Sequence, residues 1–165
     1  MIRVSDAPKK AGSRERVRTY LENHGLADEI FEFAQSTKTA AEAAEAMGCE
    51  LGQIVKSLVI VVDGERPLVA LVAGDRKGDM EAIAAEFGGL KAKMADADTV
   101  RVSTGYAIGG VSPFALPETL PVLFDESLER YAVVYPAAGT PTSMVRMRRD
   151  DLLAVSRGRV ARISL

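Results

Sequence analysis

The hydrophobic pattern changes its period several times along the chain, and each change indicates a new element. In "SRERVRTYLENHG" the apolar residues share one helical face, and this spacing predicts a helix that Ser13 caps and Gly25 ends. The following "EIFEFAQ" alternates as a short strand does. "TAAEAAEAMG" returns to helical spacing, with Thr39 and Glu42 in capping-box positions. The first fifty residues therefore predict helix, strand, helix.

The clearest signal is a β-hairpin centred on Asp63-Gly64. Apolar, β-branched runs flank this turn dipeptide in "IVKSLVIVVDGERPLVALVAGD". Beyond it, further helices are predicted in "DMEAIAAEFGG", with Asp79 as cap and Gly88 as stop, in "ADADTVRVSTG" and in "RDDLLAVS". Strands are predicted in "LKAKMA", "LPVLFD", "YAVVYP", "SMVRMR" and "RVARIS", with a helical turn in "DESLER".

Together these elements predict an α/β (α+β) fold in one domain. Strands outnumber helices and several tight turns join them, so we expect a mixed, mostly antiparallel sheet with helices packed around it. Nothing in the pattern divides residues 13–165 into two domains, and residues 1–12 are expected to form a flexible tail.

The composition indicates the general class of protein. Of the 165 residues 47% are hydrophobic and 27% charged, as in ordinary globular domains. No apolar run is long enough to span a bilayer, and the first residues lack a signal-peptide core. Cys49 is the only cysteine, which favours a reducing, cytoplasmic location.

Charge distribution limits the partners. The net charge of −2 argues against a general nucleic-acid binder, and neither DNA nor a membrane is expected as a partner. Residues 1–20 and 146–165 each carry a local charge of +4 around an acidic middle. These ends either form a patch for a phosphate backbone or are solvated surface.

Most catalytic side chains are missing. His24 is the only histidine and stands at the end of the first predicted helix, where it suits the helix dipole. One histidine and one cysteine cannot build a usual zinc site or a nucleophilic triad. The phosphate-loop and dinucleotide motifs are also lacking, so we expect neither a metal nor a cofactor.

One charge stands where a core residue is expected. Strand alternation puts Lys56 on the side of Leu58 and Ile60, while Ser57 points the opposite way. Either the side chain reaches out to solvent, or it enters a pocket where its ammonium holds a phosphate or polarises a carbonyl. A pairing of Lys56 with Ser112 across that pocket is conceivable.

The stretch "STGYAIGGVSPFAL" is the second candidate. Gly109 and Gly110 allow positive φ and a close approach of a ligand to the main chain, and successive free N–H groups can bind an anion. Pro113 stiffens the exit of the loop and Phe114 offers an apolar wall. Taken alone, these residues are better explained as a simple turn between two elements.

Taken in order, "QIVKSLVIVVDGERPLVALVAGD", "STGYAIGGVSPFAL", "LPVLFDESL", "AAGTP" and "RDDLL" resemble the YbaK-type family. Its members are free-standing domains related to the editing insertion of prolyl-tRNA synthetases. The resemblance implies a compact, barrel-like α/β fold and hydrolysis of wrongly charged aminoacyl-tRNA without a protein nucleophile. The attack would come from the ribose hydroxyl, from the substrate's side chain or from a water.

The resemblance also implies roles for individual residues. Lys56 would anchor a phosphate or the polar groups of the substrate. The backbone of Gly109, Gly110, Val111 and Ser112 would orient the ester. The remaining substrate-binding candidates are Pro113, Phe114, Phe33 and Gly139. The implied partners are the acceptor 3′ end of aminoacyl-tRNA and prolyl-tRNA synthetase.

The chain departs from the cysteine-removing pattern at two places. Ala137–Thr142 replaces a Ser-Gly-Gly-Lys-Arg-Gly stretch, and Met144 stands near the expected aspartate. Ala115 stands where many members have glycine. The amino acid removed, whether cysteine, alanine or serine, therefore stays open. So do two other functions: a non-catalytic module that binds tRNA or a synthetase, and a small-ester hydrolase using Lys56 and Ser112.

Overall fold

The computed structural model describes residues 12–26 and 29–165. The expected tail, residues 1–12, lies outside these ranges except for Gly12. In chain order the helices are α1 (Ser13–Asn23), α2 (Ala40–Met47), α3 (Met80–Glu86), α4 (Ala97–Thr104) and α5 (Arg149–Ser156). Short 3₁₀ turns span Leu51–Gln53 and Glu126–Arg130. The strands are β1 (Ile30–Glu32), β2 (Ile54–Val62), β3 (Arg66–Ala73), β4 (Ala92–Met94), β5 (Val122–Asp125), β6 (Val133–Pro136), β7 (Ser143–Val145), β8 (Met147–Arg148) and β9 (Arg159–Ala161).

Within the described residues the strands form one large sheet and one two-stranded sheet. The large sheet runs in the order β8-β6-β2-β3-β5-β9, with β4 also paired to β2, and β1 pairs with β7 separately. The β2–β3 hairpin is antiparallel over its whole length, whereas β2–β6, β3–β5 and β5–β9 are parallel. The expected mixed sheet with surrounding helices is confirmed.

Local chemistry explains the element ends. Asp63 (φ 53°) and Gly64 (φ 73°) form the hairpin turn in left-handed conformations. Thr39 and Glu42 form both bonds of a capping box at α2. The prediction for α1 was wrong in one respect: Ser13 is the first helical residue, and Gly12 is the N-cap without a side-chain cap bond.

The run "SMVRMR" also differs from its prediction, because it forms two strands. The Arg146 N–H between them donates to the Glu29 carbonyl at 3.0 Å. β7 therefore pairs with β1, and β8 turns to pair with β6.

The large sheet is covered on both faces. One face carries Val55 and Val59 of β2 and packs against α1, α5 and the segment after α4, in a cluster with Leu21, Phe114 and Phe124. The other face carries Ile60 and Val62 and packs against Ile83 of α3. A smaller cluster joins α2 to Ile54, Tyr135 and Met144. The alternation predicted for β2 is present, because Leu58, Ile60 and Val62 belong to the α3 face.

Candidate functional site

The segment after α4 is a closed loop held at both ends. Gly105 ends α4 in the left-handed conformation (φ 81°). The buried Tyr106 hydroxyl donates to the Phe114 carbonyl across the loop. The Arg16 guanidinium of α1 lies 4.2 Å from the centre of the Tyr106 ring and donates to the carbonyls of Thr104, at 3.0 Å, and Gly105, at 3.2 Å. Residues 105–116, which we call the GG loop, are therefore fixed to the first helix.

Within the GG loop the main chain turns at the two adjacent glycines. Gly109 has φ +90°, and the Gly110 N–H donates to the Ala107 carbonyl at 3.0 Å. Among the described residues, the N–H groups of Gly109 and Val111 have no hydrogen-bond partner. The N–H groups of Gly109 and Val111, on either side of the bonded Gly110 N–H, can thus donate to an external acceptor.

Gly110 is tightly packed against a second loop. A Cβ at this position would lie 3.0 Å from the Cα and the carbonyl carbon of Thr140, and 3.2 Å from the Gly139 oxygen. Gly139 (φ +98°) in turn has its Cβ position 2.8 Å from the Ser13 oxygen. The two glycines allow the GG loop, residues 139–140 and the start of α1 to stack backbone on backbone.

Lys56 is half-buried near the start of β2. Its ammonium donates to the Arg76 carbonyl. Burial lowers the pKa of Lys56 below its ordinary 10.5, against the charge of Asp75, which raises it. Asp75 forms a bidentate ion pair with Arg130, at 2.7 and 3.0 Å, and its hydrogen bonds to that guanidinium lower the pKa of the carboxyl. The lysine is therefore positioned by a neighbouring polar group rather than free in solvent.

Lys56 and the GG loop line one cavity of about 280 Å³. Gly109 and Val111 contribute from the loop, and Thr37–Ala40 contribute from the start of α2. The rest of the lining comes from Ala43, Ile54, Val55, Ser57, Leu58, Val59, Met94, Ala95, Val100, Ile108, Ala137 and Met144. The structure thus brings together the two features that the sequence singled out separately.

The other candidate residues do not line this cavity. Ser112 and Phe114 are fully buried, and the Ser112 hydroxyl accepts from the Phe114 N–H at 3.4 Å. Pro113 is buried as well. Phe33 packs against the small cluster around α2. Gly110 and Gly139 are likewise absent from the cavity lining.

Of the residues that depart from the cysteine-removing pattern, Ala137 and Met144 lie in the cavity wall. Ala137 and Met144 face each other across an isolated antiparallel bridge, and both line the cavity. Met144 is 2% exposed. This side of the cavity is therefore apolar where the pattern would place polar side chains.

Lys38 and Ser57 are among the lining residues that the sequence did not single out. The carbon chain of Lys38 passes 3.0 Å from the position a Gly109 Cβ would take, so a second ammonium stands near the cavity. Lys38 precedes the capping box of α2, which is the one signal that could have indicated it. Strand alternation makes Ser57 point away from Lys56, yet both residues line the same cavity.

The cavity mouth has apolar side chains open to solvent. Ile108 is 61% exposed and Met94 is 54% exposed, and both are lining residues. The rim of the cavity is therefore partly apolar at these two positions.

The described residues support neither metal chemistry nor thiol chemistry. No group of three or more His, Cys, Asp or Glu within residues 12–26 and 29–165 could hold a metal ion. Burial raises the pKa of Cys49, which disfavours a reactive thiolate. In the same ranges no helix is long and apolar enough to cross a membrane.

Comparison with known proteins decides the family. The aminoacyl-tRNA editing domain matches residues 34–155, which include Lys56, the whole GG loop and Met144. The chain belongs to the aminoacyl-tRNA editing domain family. The resemblance expected from the sequence is confirmed, and so is the reaction class of a hydrolase acting on the ester bond of aminoacyl-tRNA.

Individual relatives agree with this assignment. EbsC of Enterococcus faecalis, named as a candidate Cys-tRNA(Pro)/Cys-tRNA(Cys) deacylase, is 28% identical over 160 residues, 96% of this chain and 98% of its own. The multifunctional Ser/Thr-tRNA deacylase ProXp-y of Escherichia coli is 30% identical over 139 residues, 79% of this chain and 83% of its own. A crystal structure described as a candidate trans-editing enzyme for prolyl tRNA synthetase superposes with a TM-score of 0.85 at 38% identity, covering 95% and 99% of the two chains.

Proposed function

We propose that this protein removes a small, wrongly attached amino acid from tRNA, acting in trans, with tRNA-Pro as the first candidate. The observation that carries the proposal is the convergence of Lys56 with Gly109 and Val111 of the GG loop on one cavity. A volume of about 280 Å³ is at the low end of ligand pockets. It suits an aminoacyl group with the nucleotide outside.

The lining supports a reaction without a protein nucleophile. Its described residues include neither histidine, cysteine, aspartate nor glutamate. The Thr37 hydroxyl donates to the Pro141 carbonyl at 3.0 Å. The Lys56 ammonium donates to the Arg76 carbonyl, and strand alternation puts it on the opposite side of β2 from Ser57, so it is not placed as a general base for that hydroxyl. In the proposed reaction the ribose hydroxyl, the amino-acid side chain or a water attacks the ester carbonyl.

The protein's contribution is positioning and charge stabilisation. The unpartnered N–H groups of Gly109 and Val111 would donate to the carbonyl oxygen as it becomes an oxyanion. Lys56 would release the Arg76 carbonyl and hold the terminal phosphate or the substrate's polar groups. Lys38 at the mouth adds a second positive charge for the acceptor strand.

The names of two relatives and the composition of the cavity wall bear on which amino acid is removed. EbsC is named for cysteinyl-tRNA and ProXp-y for seryl- and threonyl-tRNA. The apolar Ala137–Met144 wall favours alanine or serine over a substrate that needs a polar contact there. A cytoplasmic location and association with prolyl-tRNA synthetase, the latter after the name of the trans-editing structure, are part of the same proposal.

The test is a deacylation panel. Wild type and Lys56→Ala are incubated with cysteinyl-, alanyl- and seryl-tRNA-Pro, and with correctly charged prolyl-tRNA-Pro. We expect wild type to hydrolyse at least one mischarged tRNA and spare the correct one, and Lys56→Ala to lose at least about tenfold in kcat/KM.

Other outcomes would replace the proposal. Binding of tRNA without ester loss would indicate a non-catalytic module. Hydrolysis of simple esters that Ser112→Ala abolishes would indicate a small-ester hydrolase. Full activity in Lys56→Ala would reject the site assignment.

A further inference from the structure

One stretch of β2 has an open edge inside the cavity. On one side β2 pairs continuously with β3 over residues 55–62. On the other side β6 pairs only with Ile54 and Val55, and β4 only with residues 60–62. On this second edge, between β6 and β4, residues 56–59 pair with no strand among the described residues, and all four line the cavity.

The hydrogen-bond alternation of the hairpin shows which peptide groups face this gap. The Gly74 N–H donates to the Ile54 carbonyl at 2.7 Å, so even-numbered residues of β2 bond towards β3. Odd-numbered residues then present their N–H and carbonyl groups to the opposite edge. The Ala95 N–H donates to the Val59 carbonyl at 2.9 Å on that edge, as this alternation requires. The peptide groups of Ser57 therefore face the gap.

The Ser57 side chain has an unusual environment. Its hydroxyl oxygen is buried and has no hydrogen-bond partner among the described residues. Its neighbours on the same strand face, Val55 and Val59, are buried core residues, and the adjoining lining residues Val100 and Val111 are apolar. Nearly all buried polar atoms in native proteins are paired, because an unpaired one is costly. A partner supplied by a ligand explains the exception.

We propose that Ser57 selects the amino acid, by a hydrogen bond between its hydroxyl and a hydroxyl on the side chain of the aminoacyl group. The inference rests on the proposed function and narrows it: esters of serine and threonine are preferred over those of alanine. The Ser57 carbonyl at the open edge is an acceptor for the α-ammonium that all aminoacyl groups share.

The selectivity arises because an aminoacyl group without a side-chain hydroxyl cannot pair with the Ser57 hydroxyl. An alanyl group would leave the buried Ser57 hydroxyl without a partner, as it is in the free protein. A seryl group would pair it. One neutral hydrogen bond of this kind corresponds to a preference of about tenfold in kcat/KM.

Steady-state deacylation of seryl- and alanyl-tRNA-Pro by wild type, Ser57→Ala and Ser57→Thr tests this. In Ser57→Ala we expect the ratio of seryl to alanyl kcat/KM to fall by about tenfold, with seryl hydrolysis lowered and alanyl hydrolysis unchanged. Ser57→Thr keeps a hydroxyl and should keep the preference. The control is Ser156→Ala, which removes a buried hydroxyl bonded to Leu153 and Gly158, outside the cavity lining.

An unchanged ratio in Ser57→Ala, or an equal loss for both esters, would overturn the inference. Binding separates its failure from that of the proposed function. Amide-linked seryl- and alanyl-adenosine, which cannot be hydrolysed, are titrated into wild type and Ser57→Ala in a calorimeter. If wild type deacylates nothing but binds the seryl compound about tenfold tighter, and Ser57→Ala removes the difference, the selection stands without the reaction. Equal binding of the two compounds by wild type would refute the selection.

Discussion

The replacement Gly110→Ala is the sharpest perturbation of the GG loop that leaves every cavity-lining side chain in place. The added methyl carbon would lie 3.0 Å from two main-chain atoms of Thr140, where ordinary contact begins at 3.4 Å. Rotation of a side chain cannot relieve this contact, because the opposing atoms are backbone. One loop must move by at least about 0.4 Å. Overpacking of this kind costs about 1–3 kcal/mol in the free energy of unfolding.

The displacement would also reach the proposed oxyanion donors. Gly109 and Val111 are the direct neighbours of Gly110, so their N–H groups move with it. A misplacement of about 1 Å costs on the order of a hundredfold in rate. We therefore expect a shift of about half that size to lower kcat/KM by about tenfold.

Gly88→Ala provides the matched control. Gly88 follows α3, has φ +65° and has open space around its Cβ position. Alanine there is strained by about 1–2 kcal/mol without a clash and away from the cavity. Urea unfolding should show a loss of stability in both variants, and single-turnover deacylation should fall only in Gly110→Ala. Wild-type rates in folded Gly110→Ala, or an equal loss in Gly88→Ala, would refute the positioning role of the loop.

Three further predictions concern charge and volume. Burial lowers the pKa of Lys56, so the lysine loses its charge at a pH below 10.5. Calorimetric binding of an amide-linked aminoacyl-tRNA should therefore weaken as the pH rises through that pKa. A Lys56→Arg variant should not show this loss of affinity. Burial alone would raise the pKa of Asp125, but its hydrogen bonds to Ser127, Ile163 and Ser164 lower it overall. Its stabilising effect is therefore complete above the ordinary value of 3.8 and is lost as pH falls through the lower, folded-state pKa, and Asp125→Ala should cost about 3 kcal/mol in urea unfolding at pH 7. Met144→Ala should enlarge the cavity, cost about 2–4 kcal/mol in the same unfolding measurement, and raise hydrolysis of a larger aminoacyl ester relative to alanyl-tRNA; an unchanged ratio would contradict the placement of the amino acid beside Met144.

The sequence predicted best those elements whose ends are set by residues close together in the chain. Asp63-Gly64 adopts the two left-handed conformations that a tight hairpin needs, and Thr39 with Glu42 closes its own capping box. Lys56 is predicted as a site residue because strand alternation puts its charge on a core face. These signals lie within a few residues of one another, so no tertiary information was needed.

The site itself depended on contacts that are distant in the chain. Gly110 reads as a turn residue, and only the fold shows that it lies against Thr140. The open edge of β2 arises because β6 and β4 pair with different parts of it, which no pattern inside "QIVKSLVIVV" reveals. For the same reason the sequence assigns Ser57 only a strand face, opposite Lys56, whereas the structure shows its unpartnered hydroxyl and its place in the cavity lining.

The most direct test of the central claim is a crystal structure of the protein with a non-hydrolysable, amide-linked aminoacyl-adenosine. The account predicts the aminoacyl group inside the cavity, with its carbonyl oxygen within hydrogen-bonding distance of the Gly109 or Val111 N–H and the Lys56 ammonium turned from Arg76 towards the ligand. An aminoacyl group bound elsewhere, for example in the groove lined by Pro67, Phe87 and Pro121, would contradict it.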